Sequence, residues 1–304
     1  MVVAATGFFD GVHKGHAKVL GKLCEIAKKE GSISKVITFW PHPRSVLQQD
    51  AHSLRLLTSK DEKRDLIKGL GVDEVDFIEF TKDFSKLSTE NFIKEYLIDR
   101  FHVDSIVIGY DHKLGHNVNQ TQKEMIGIAE NLGLNVYRID ECLIGNIVVS
   151  STKIRTLLSA GYLDAANDYL GYRYGVKGVV VSGNHLGRKI GFPTANMQLY
   201  DPLKIIPARG VYAVLVEVQG NTYKGMCNIG LRPTVTDDNQ DNIETHIFDF
   251  NDDIYGLDIK LEFVKKIRDE QKFPSVEDLI EQLERDRNLI KNFFLDYSGP
   301  MVIR

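Results

Sequence analysis

Two histidines three positions apart, His13 and His16, end the stretch Thr6-Gly7-Phe8-Phe9-Asp10-Gly11-Val12-His13-Lys14-Gly15-His16. Imidazoles at that spacing can both face one phosphate, and Gly7, Gly11 and Gly15 let the backbone approach a ligand closely. Farther on, Gly187-Arg188-Lys189-Ile190-Gly191-Phe192-Pro193-Thr194-Ala195-Asn196 offers two glycines and two cations for a triphosphate. In the same run the Thr194 hydroxyl and the Asn196 amide are hard oxygen donors suited to Mg2+. Between the two runs, Arg155 follows Ser151 by one helical turn, within reach of an anion at a helix start. Residue types alone leave plainer readings open: a glycine-rich turn with two surface histidines, a proline-glycine turn, and a capped helix with a surface arginine.

The elements around these residues decide what they can reach. Val2-Val3-Ala4-Ala5 is an apolar run, and Val19, Leu20, Leu23, Ile26 and Ala27 recur at helical spacing after it. The histidine stretch therefore sits between a strand's C-terminal end and a helix N-terminus, where open α/β sheets place ligands and free amides favour a phosphate. Residues 35–39 read as a strand that ends in Trp40-Pro41-His42-Pro43-Arg44, where the prolines stop any helix. Thr58 with Asp61 predicts a capped helix, residues 75–80 a strand, and Thr89-Glu90-Asn91 the start of a further helix. Strands at 105–108, 135–139 and 147–149, with a helix at 122–132, continue an alternation that predicts a mainly parallel, doubly wound sheet.

Near residue 171 the pattern changes to strands alone, at 176–181, 211–218, 222–227, 243–248 and 257–264. Leu257, Ile259, Leu261 and Phe263 alternate with Asp258, Lys260 and Glu262, as a half-buried strand does. Gln219-Gly220-Asn221 reads as a hairpin turn, and the series predicts an antiparallel barrel. Ser275-Val276-Glu277-Asp278 caps a final helix with Val276, Leu279, Ile280, Leu283 and Ile290 on its apolar face and its charges in solvent. Two domains are expected, 1–170 and 171–304.

The chain has 304 residues, 43% of them hydrophobic, and a formal net charge of -4. That length suits two cores, and the mild acidity argues against a nucleic-acid partner. Cys24, Cys142 and Cys227 lie far apart, which gives no zinc or disulfide framework and fits a reducing cytoplasm. No signal pattern or long apolar segment suggests secretion or a membrane partner. Because the first strand starts at once, a few natural residues are expected to precede it. The assembly state is not fixed by the sequence, and a homo-oligomer is compatible with it.

Gly7-Phe8-Phe9-Asp10-Gly11-Val12-His13-Lys14-Gly15-His16 resembles the His-x-Gly-His motif of nucleotidyltransferases, in the long form of the bacterial bifunctional riboflavin kinase/FAD synthetases. Thr38-Phe39-Trp40-Pro41-His42-Pro43 and Ser150-Ser151-Thr152-Lys153-Ile154-Arg155 are similar to two further motifs of that family, in the same order. Pro193-Thr194-Ala195-Asn196, Asn228-Ile229-Gly230-Leu231-Arg232-Pro233-Thr234, Glu244-Thr245-His246-Ile247-Phe248-Asp249-Phe250 and Arg268-x-Glu270-x-Lys272-Phe273 resemble riboflavin kinase motifs. No Gly-x4-Gly-Lys-Ser/Thr loop of P-loop kinases is present. The loop at 111–120 keeps Asp111 and Gly115 but departs at Lys113-Leu114 and Val118-Asn119-Gln120.

The chain is identified as a member of this family, and the resemblance implies its fold: a Rossmann-like α/β adenylyltransferase domain followed by a riboflavin kinase β-barrel with a terminal helix. It implies ATP as co-substrate, Mg2+ as cofactor, and riboflavin, FMN, FAD, ADP and pyrophosphate as the other small-molecule partners. His13, His16 and Arg155 would stabilise the α-phosphate during transfer to FMN, with nucleotide or phosphate contacts at Gly7, Phe8, Asp10, Asp111, Ser151 and Thr152. In the kinase half Glu244 would be the general base, which without the motif reads as an exposed strand carboxylate. Gly183, Gly187, Arg188, Thr194 and Asn196 would hold Mg-ATP, and Arg268 and Glu270 the flavin. Three alternatives are a kinase with a weak adenylyltransferase half, a flavin sensor, and a different nucleotidyltransferase. The last leaves everything after residue 171 unexplained.

Overall fold

The computed structural model describes every residue except 48–53, 111, 113–114, 116–119, 146, 184–185, 232–240 and 301–304. Asp111, most of the atypical loop after it and the Arg232-Pro233-Thr234 end of one motif thus lie outside the described residues. The chain divides into two compact units, Met1–Lys153 and Ile154–Arg304.

The first unit runs β1 (Val2–Thr6), α1 (Lys14–Glu30), β2 (Ile33–Trp40), α2 (Pro43–Leu47), α3 (Lys60–Gly69) and β3 (Glu74–Glu79). It continues with α4 (Thr89–Asn91), which passes into a π-helix at Phe92–Arg100, then β4 (Ser105–Gly109), α5 (Gln122–Asn131) and β5 (Asn135–Ile139). Five strands pair in parallel in the order β3-β2-β1-β4-β5, the doubly wound sheet that the alternation predicts. Val3 and Ala5 face a cluster with Leu20, Leu23 and Ile67, while Ala4 faces Phe92, Leu97 and Met125 on the other side. Helices on both faces are why the strands are apolar throughout. The strand order reverses between β1 and β4, the point at which such sheets open a ligand crevice. There Thr6 Oγ1 and His112 Nε2 are 2.9 Å apart, and burial pushes the His112 imidazole down to about 4.

The α3 cap falls one residue later than Thr58 and Asp61 predict: Ser59 and Glu62 form the capping box. Thr58 is engaged elsewhere, its hydroxyl accepting from Gly11 N and donating to Asp10. α3 also buries Lys63, 3% exposed, with its ammonium 5.5 Å from the Trp40 ring. Burial lowers the Lys63 pKa from 10.5 to about 8, against the opposing pull of the Asp10 charge.

A short hairpin, β6 (Leu143–Ile144) and β7 (Ile147–Val148), precedes α6 (Ser151–Ser159), which crosses from the first unit into the second. The second unit continues with α7 (Leu163–Leu170), β8 (Gly175–Val181), α8 (Leu186–Lys189), β9 (Ala195–Leu199) and β10 (Gly210–Val218). Then come β11 (Asn221–Leu231), β12 (Asp241–Ile247), β13 (Asp258–Arg268) and α9 (Val276–Asp296). Six antiparallel strands close a barrel in the order β10-β11-β12-β9-β8-β13.

α9 lays Ile290 and Phe294 over Val211, Ala213 and Leu215 of β10 and Val264 of β13. Its charges are not all solvated as the pattern predicts. Asp286 is 3% exposed because it receives the Arg268 guanidinium, and Val276 at the expected apolar face is 48% exposed. Glu262, on the expected solvent side of β13, is likewise buried by its 2.7 Å pair with Arg173.

The change of sequence pattern falls at residue 171, whereas the compact units meet at Lys153/Ile154. α7 accounts for the difference. It buries Leu163, Ala166, Tyr169 and Leu170, and Asn167 donates to Phe263 O (3.1 Å) and accepts from Tyr174 N (2.7 Å). A fragment 171–304 is therefore expected to melt about 10 °C below a fragment 154–304, since several buried apolar side chains are lost. Thermal unfolding of both fragments checks this, and equal midpoints refute it. Lys63→Met is expected to stabilise the protein at pH 7 by about 2 kcal/mol. The depressed folded pKa means that the unfolded chain binds more protons between about 8 and 10.5. The wild type therefore gains stability as pH rises through that window and the advantage of the variant closes. Urea unfolding at pH 7 and 9.5 measures it, and a constant gap counts against the buried charge.

Candidate active sites

The first candidate site lies on the loop after β1. Gly7 N donates to Ile37 O at 3.3 Å, extending the β1–β2 ladder to the sheet edge. Phe9 and Val12 then adopt positive φ, 47° and 36°, an uncommon conformation for a side-chain-bearing residue and an outlier for a β-branched one. Such strain costs about 1–3 kcal/mol per residue and persists only where surroundings enforce it. Here both side chains are buried in the α1 core cluster. The Asp10 carboxylate, 4% exposed, accepts from Leu57 N, Thr58 N and Thr58 Oγ1 at 3.0–3.2 Å. These are contacts to the chain, so Asp10 fixes the loop.

His13 caps α1: its Nδ1 accepts from His16 N at 3.3 Å, which puts the proton of the neutral ring on Nε2. The two imidazoles stack with centroids 3.6 Å apart and 15° between planes, a contact that the three-residue spacing allows. Burial first, then the charges of His13 and Lys63, holds His16 well below the usual histidine pKa. His16 Nδ1 is buried and makes no hydrogen bond. The structure thus brings His13 and His16 together with an orphaned polar atom. Phe9 packs edge-on against His16 at 5.2 Å, while Phe8, 36% exposed, lies with its ring 5.1 Å from Phe39 and 5.3 Å from His42.

Ser150 rather than Ser151 accepts from Lys153 N (3.3 Å) at the start of α6. That leaves the Ser151 hydroxyl to donate to Asp10 O at 2.9 Å, joining the last motif of this unit to the first. Thr152 follows in the first helical turn, and Arg155 lies on the same helix in the second unit. The sequence pattern marks Thr58 only as a helix cap and Lys63 not at all. Burial and, for Thr58, its bonds to Asp10 and Gly11 give them their place at this site.

The second candidate site is built by register. β12 pairs with β11 so that Glu244 faces Asn228, and with β9 so that Glu244 faces Asn196. Directly opposed residues of antiparallel strands share a face, so Asn228, Glu244 and Asn196 form one polar row. Asn242 Nδ2 donates to Glu244 Oε1 at 2.6 Å and orients the carboxylate. The plainer turn reading holds only up to Thr194: from Ala195 the chain is strand β9, because both β8 and β12 pair with it.

The predicted nucleotide residues converge here. A Cβ at Gly183 would lie 2.2 Å from Asn196 Nδ2, and one at Gly187 would lie 2.3 Å from Phe192 O and 3.3 Å from Thr194 Oγ1. Glycine is what lets both segments close on the loop. Arg188, Thr194 and Asn196 line a cavity of about 310 Å³ together with Phe250, which ends the Glu244 motif, and Asp252 and Tyr255, which have no signal in the sequence. Glu244 is outside the lining but sits directly opposite Asn196 in the β12–β9 ladder. Asn196 therefore joins the cavity to the carboxylate.

The two predicted flavin residues stand differently. Glu270 Oε1 accepts from Leu231 N at 3.2 Å and fills the space over Gly230, beside Asn228. Arg268 is turned to α9, giving Nε and Nη2 to Asp286 at 2.9 and 2.8 Å, with Gln282 on the other oxygen of Asp286. Among the described residues no cluster of three His, Cys, Asp or Glu side chains could hold a metal, and no helix is long and apolar enough to cross a membrane. A cation at this site would rest on hydroxyl and amide oxygens and on the phosphates it accompanies.

Family comparisons agree with this two-site geometry. Residues 1–153 match the FAD synthetase family and residues 170–294 the riboflavin kinase family. The chain is 39% identical over 294 residues to the bifunctional riboflavin kinase/FMN adenylyltransferase of Bacillus subtilis, covering 96% of this chain and 92% of the relative. Identity to the Escherichia coli protein of that description is 35% over 295 residues, with the same coverage. A crystal structure described as a macrolide-efflux protein from Streptococcus pneumoniae superposes with a TM-score of 0.88 at 32% identity, over 96% of this chain and 94% of that one. With both halves matched and relatives covered nearly end to end, the chain belongs to the family of bifunctional riboflavin kinase/FMN adenylyltransferases.

Proposed function

We infer that this protein makes both flavin cofactors: it phosphorylates riboflavin to FMN with ATP, then adenylylates FMN to FAD with release of pyrophosphate. The row Asn196–Glu244–Asn228 beside the phosphate-suited cavity carries the kinase half of this reading. Glu244 takes the proton of riboflavin's terminal ribityl hydroxyl as that oxygen attacks the ATP γ-phosphate. Glu270 and Asn228 lie on the flavin side of the row. Arg268 supports that side through its pair with Asp286. Thr194 and Asn196 hold Mg2+, which neutralises phosphate charge when bound. Arg188 adds a cation at the cavity wall.

In the first unit the FMN phosphate attacks the ATP α-phosphate. His13 and the orphaned His16 supply hydrogen bonds to the charge that develops there. Gly7, Phe8, Ser151 and Thr152 bound the phosphate, Asp10 holds their loop, and Asp111 and Arg155 join by their motifs alone. Mg2+ accompanies this ATP as well. The working domains are proposed as 1–170 and 171–304, in a cytoplasmic protein that takes neither nucleic acid nor membrane as partner. Its assembly as a homo-oligomer is open to direct measurement.

Incubation of the purified protein with riboflavin and Mg-ATP should yield FMN and then FAD, separable by chromatography; FMN alone would favour a kinase with an inactive first unit. Replacing His13 and His16 by Ala should slow FAD formation from FMN by about 10²–10³ while sparing FMN formation. An unchanged FAD rate removes the first-site assignment. Glu244→Gln should lower riboflavin phosphorylation by about 10²–10⁴ and leave FAD formation from supplied FMN intact. Wild-type kinase turnover would show that Glu244 is not the base, and equal loss of both activities would point to misfolding.

A further inference from the structure

His246 lies two residues after Glu244 on β12, so both side chains leave the same face of the strand. Its Nδ1 is 2.8 Å from the carbonyl oxygen of Pro193, the residue before Thr194. A carbonyl only accepts, so Nδ1 carries the proton and donates. Phe192 and Phe248 pack edge-on against the ring at 5.4 and 5.7 Å. α9 closes the stack from outside, with Arg287 5.0 Å over the Phe192 ring and Lys291 5.5 Å over that of Phe248. Burial, reinforced by those two cations, keeps the imidazole below its usual pKa despite the Pro193 carbonyl and the Asp249 charge. From the other side of the loop, Phe192 N donates to Gly187 O at 2.8 Å. The segment before Thr194 is thus held at two points, by Gly187 and by His246.

We propose that His246 is a positioning residue for the nucleotide loop: its Nδ1–H bond to Pro193 fixes Thr194 relative to Glu244, so that one strand sets both the phosphate site and the base. This rests on reading Thr194 and Asn196 as the Mg-ATP site. The bond and the aromatic packing make separable contributions, because three substitutions dissect them. His246→Phe keeps a ring without a donor. His246→Asn restores an amide donor near the Nδ1 position, and His246→Gln places one nearer Nε2.

The full-length variants are compared for riboflavin kinase KM toward Mg-ATP and toward riboflavin, for binding of Mg2+ with the β,γ-imido analogue of ATP, and for thermal midpoint. Loss of one hydrogen bond of about 1–1.5 kcal/mol corresponds to about a tenfold weakening. His246→Phe and His246→Gln should raise the Mg-ATP KM and weaken the analogue by about that factor. The riboflavin KM should stay within about twofold. His246→Asn should recover most of the loss, whatever its thermal midpoint. Wild-type Mg-ATP affinity in folded His246→Phe, or no recovery in folded His246→Asn, overturns the proposal. Thr194→Ala serves as the control. Undiminished analogue binding in it would overturn the site reading itself, whereas weakened binding there with no effect of His246→Phe would overturn the role of His246 alone.

Discussion

The pairing register of β12 is the constraint on which the kinase half depends. Side chains alternate between strand faces with a period of two, so a slip by one residue would carry Glu244 to the opposite face. The register is held from that opposite face, where Ile243, Thr245 and Ile247 are buried. It is held again by two neighbours, since β11 and β9 both bond to β12 across the Glu244 position. Burial of Ile243, Thr245 and Ile247 thus holds Glu244 in place, and Thr245 and Ile247 also border the cavity. Barrel closure adds to this, because no free edge remains along which β12 could shift.

The first unit reaches a comparable precision by a different route. Its site is a loop at a sheet edge, and a loop has no ladder to hold it. Buried anchors take over that task. Phe9 and Val12 tolerate positive φ because their side chains are locked in the core, and Asp10 ties the loop to the segment entering α3. The hydroxyl of Ser151 then fastens the loop to the start of α6. Stability is given up for the site at several points: two strained residues, a buried lysine and a neutral, unsatisfied histidine. Their concentration around one loop is what a functional site looks like energetically.

The buried ion pairs of the second unit have a different character. Arg268 with Asp286 and Arg173 with Glu262 join barrel strands to the terminal helix and to the chain entering β8. Such pairs add little net stability, since desolvation offsets most of the attraction, but removing one partner leaves an uncompensated charge. The Arg268 pair therefore specifies where α9 sits, and the Arg173 pair where the chain enters β8, more than how strongly either is held. In Arg268 this turns a residue of a ligand-facing motif toward the helix.

The sequence by itself determined the alternation of strand and helix before residue 171, the strands after it, and the motifs at both sites, because periodicity and short-range spacing are local properties. It located His13, His16, Glu244, Thr194 and Asn196, and their motif resemblance named the family. Local pattern could not find β9, since the strand Ala195–Leu199 exists only when β8 and β12 pair with it. Nor could it tell Ser59 from Thr58 as the α3 cap, because either hydroxyl would serve until Asp10, 48 residues away, claimed Thr58. Lys63, Asp286 and the cavity wall at Asp252 and Tyr255 were likewise decided by tertiary structure. A charge or ring acquires its role there from neighbours distant in the chain, and no spacing along the sequence records who those neighbours are.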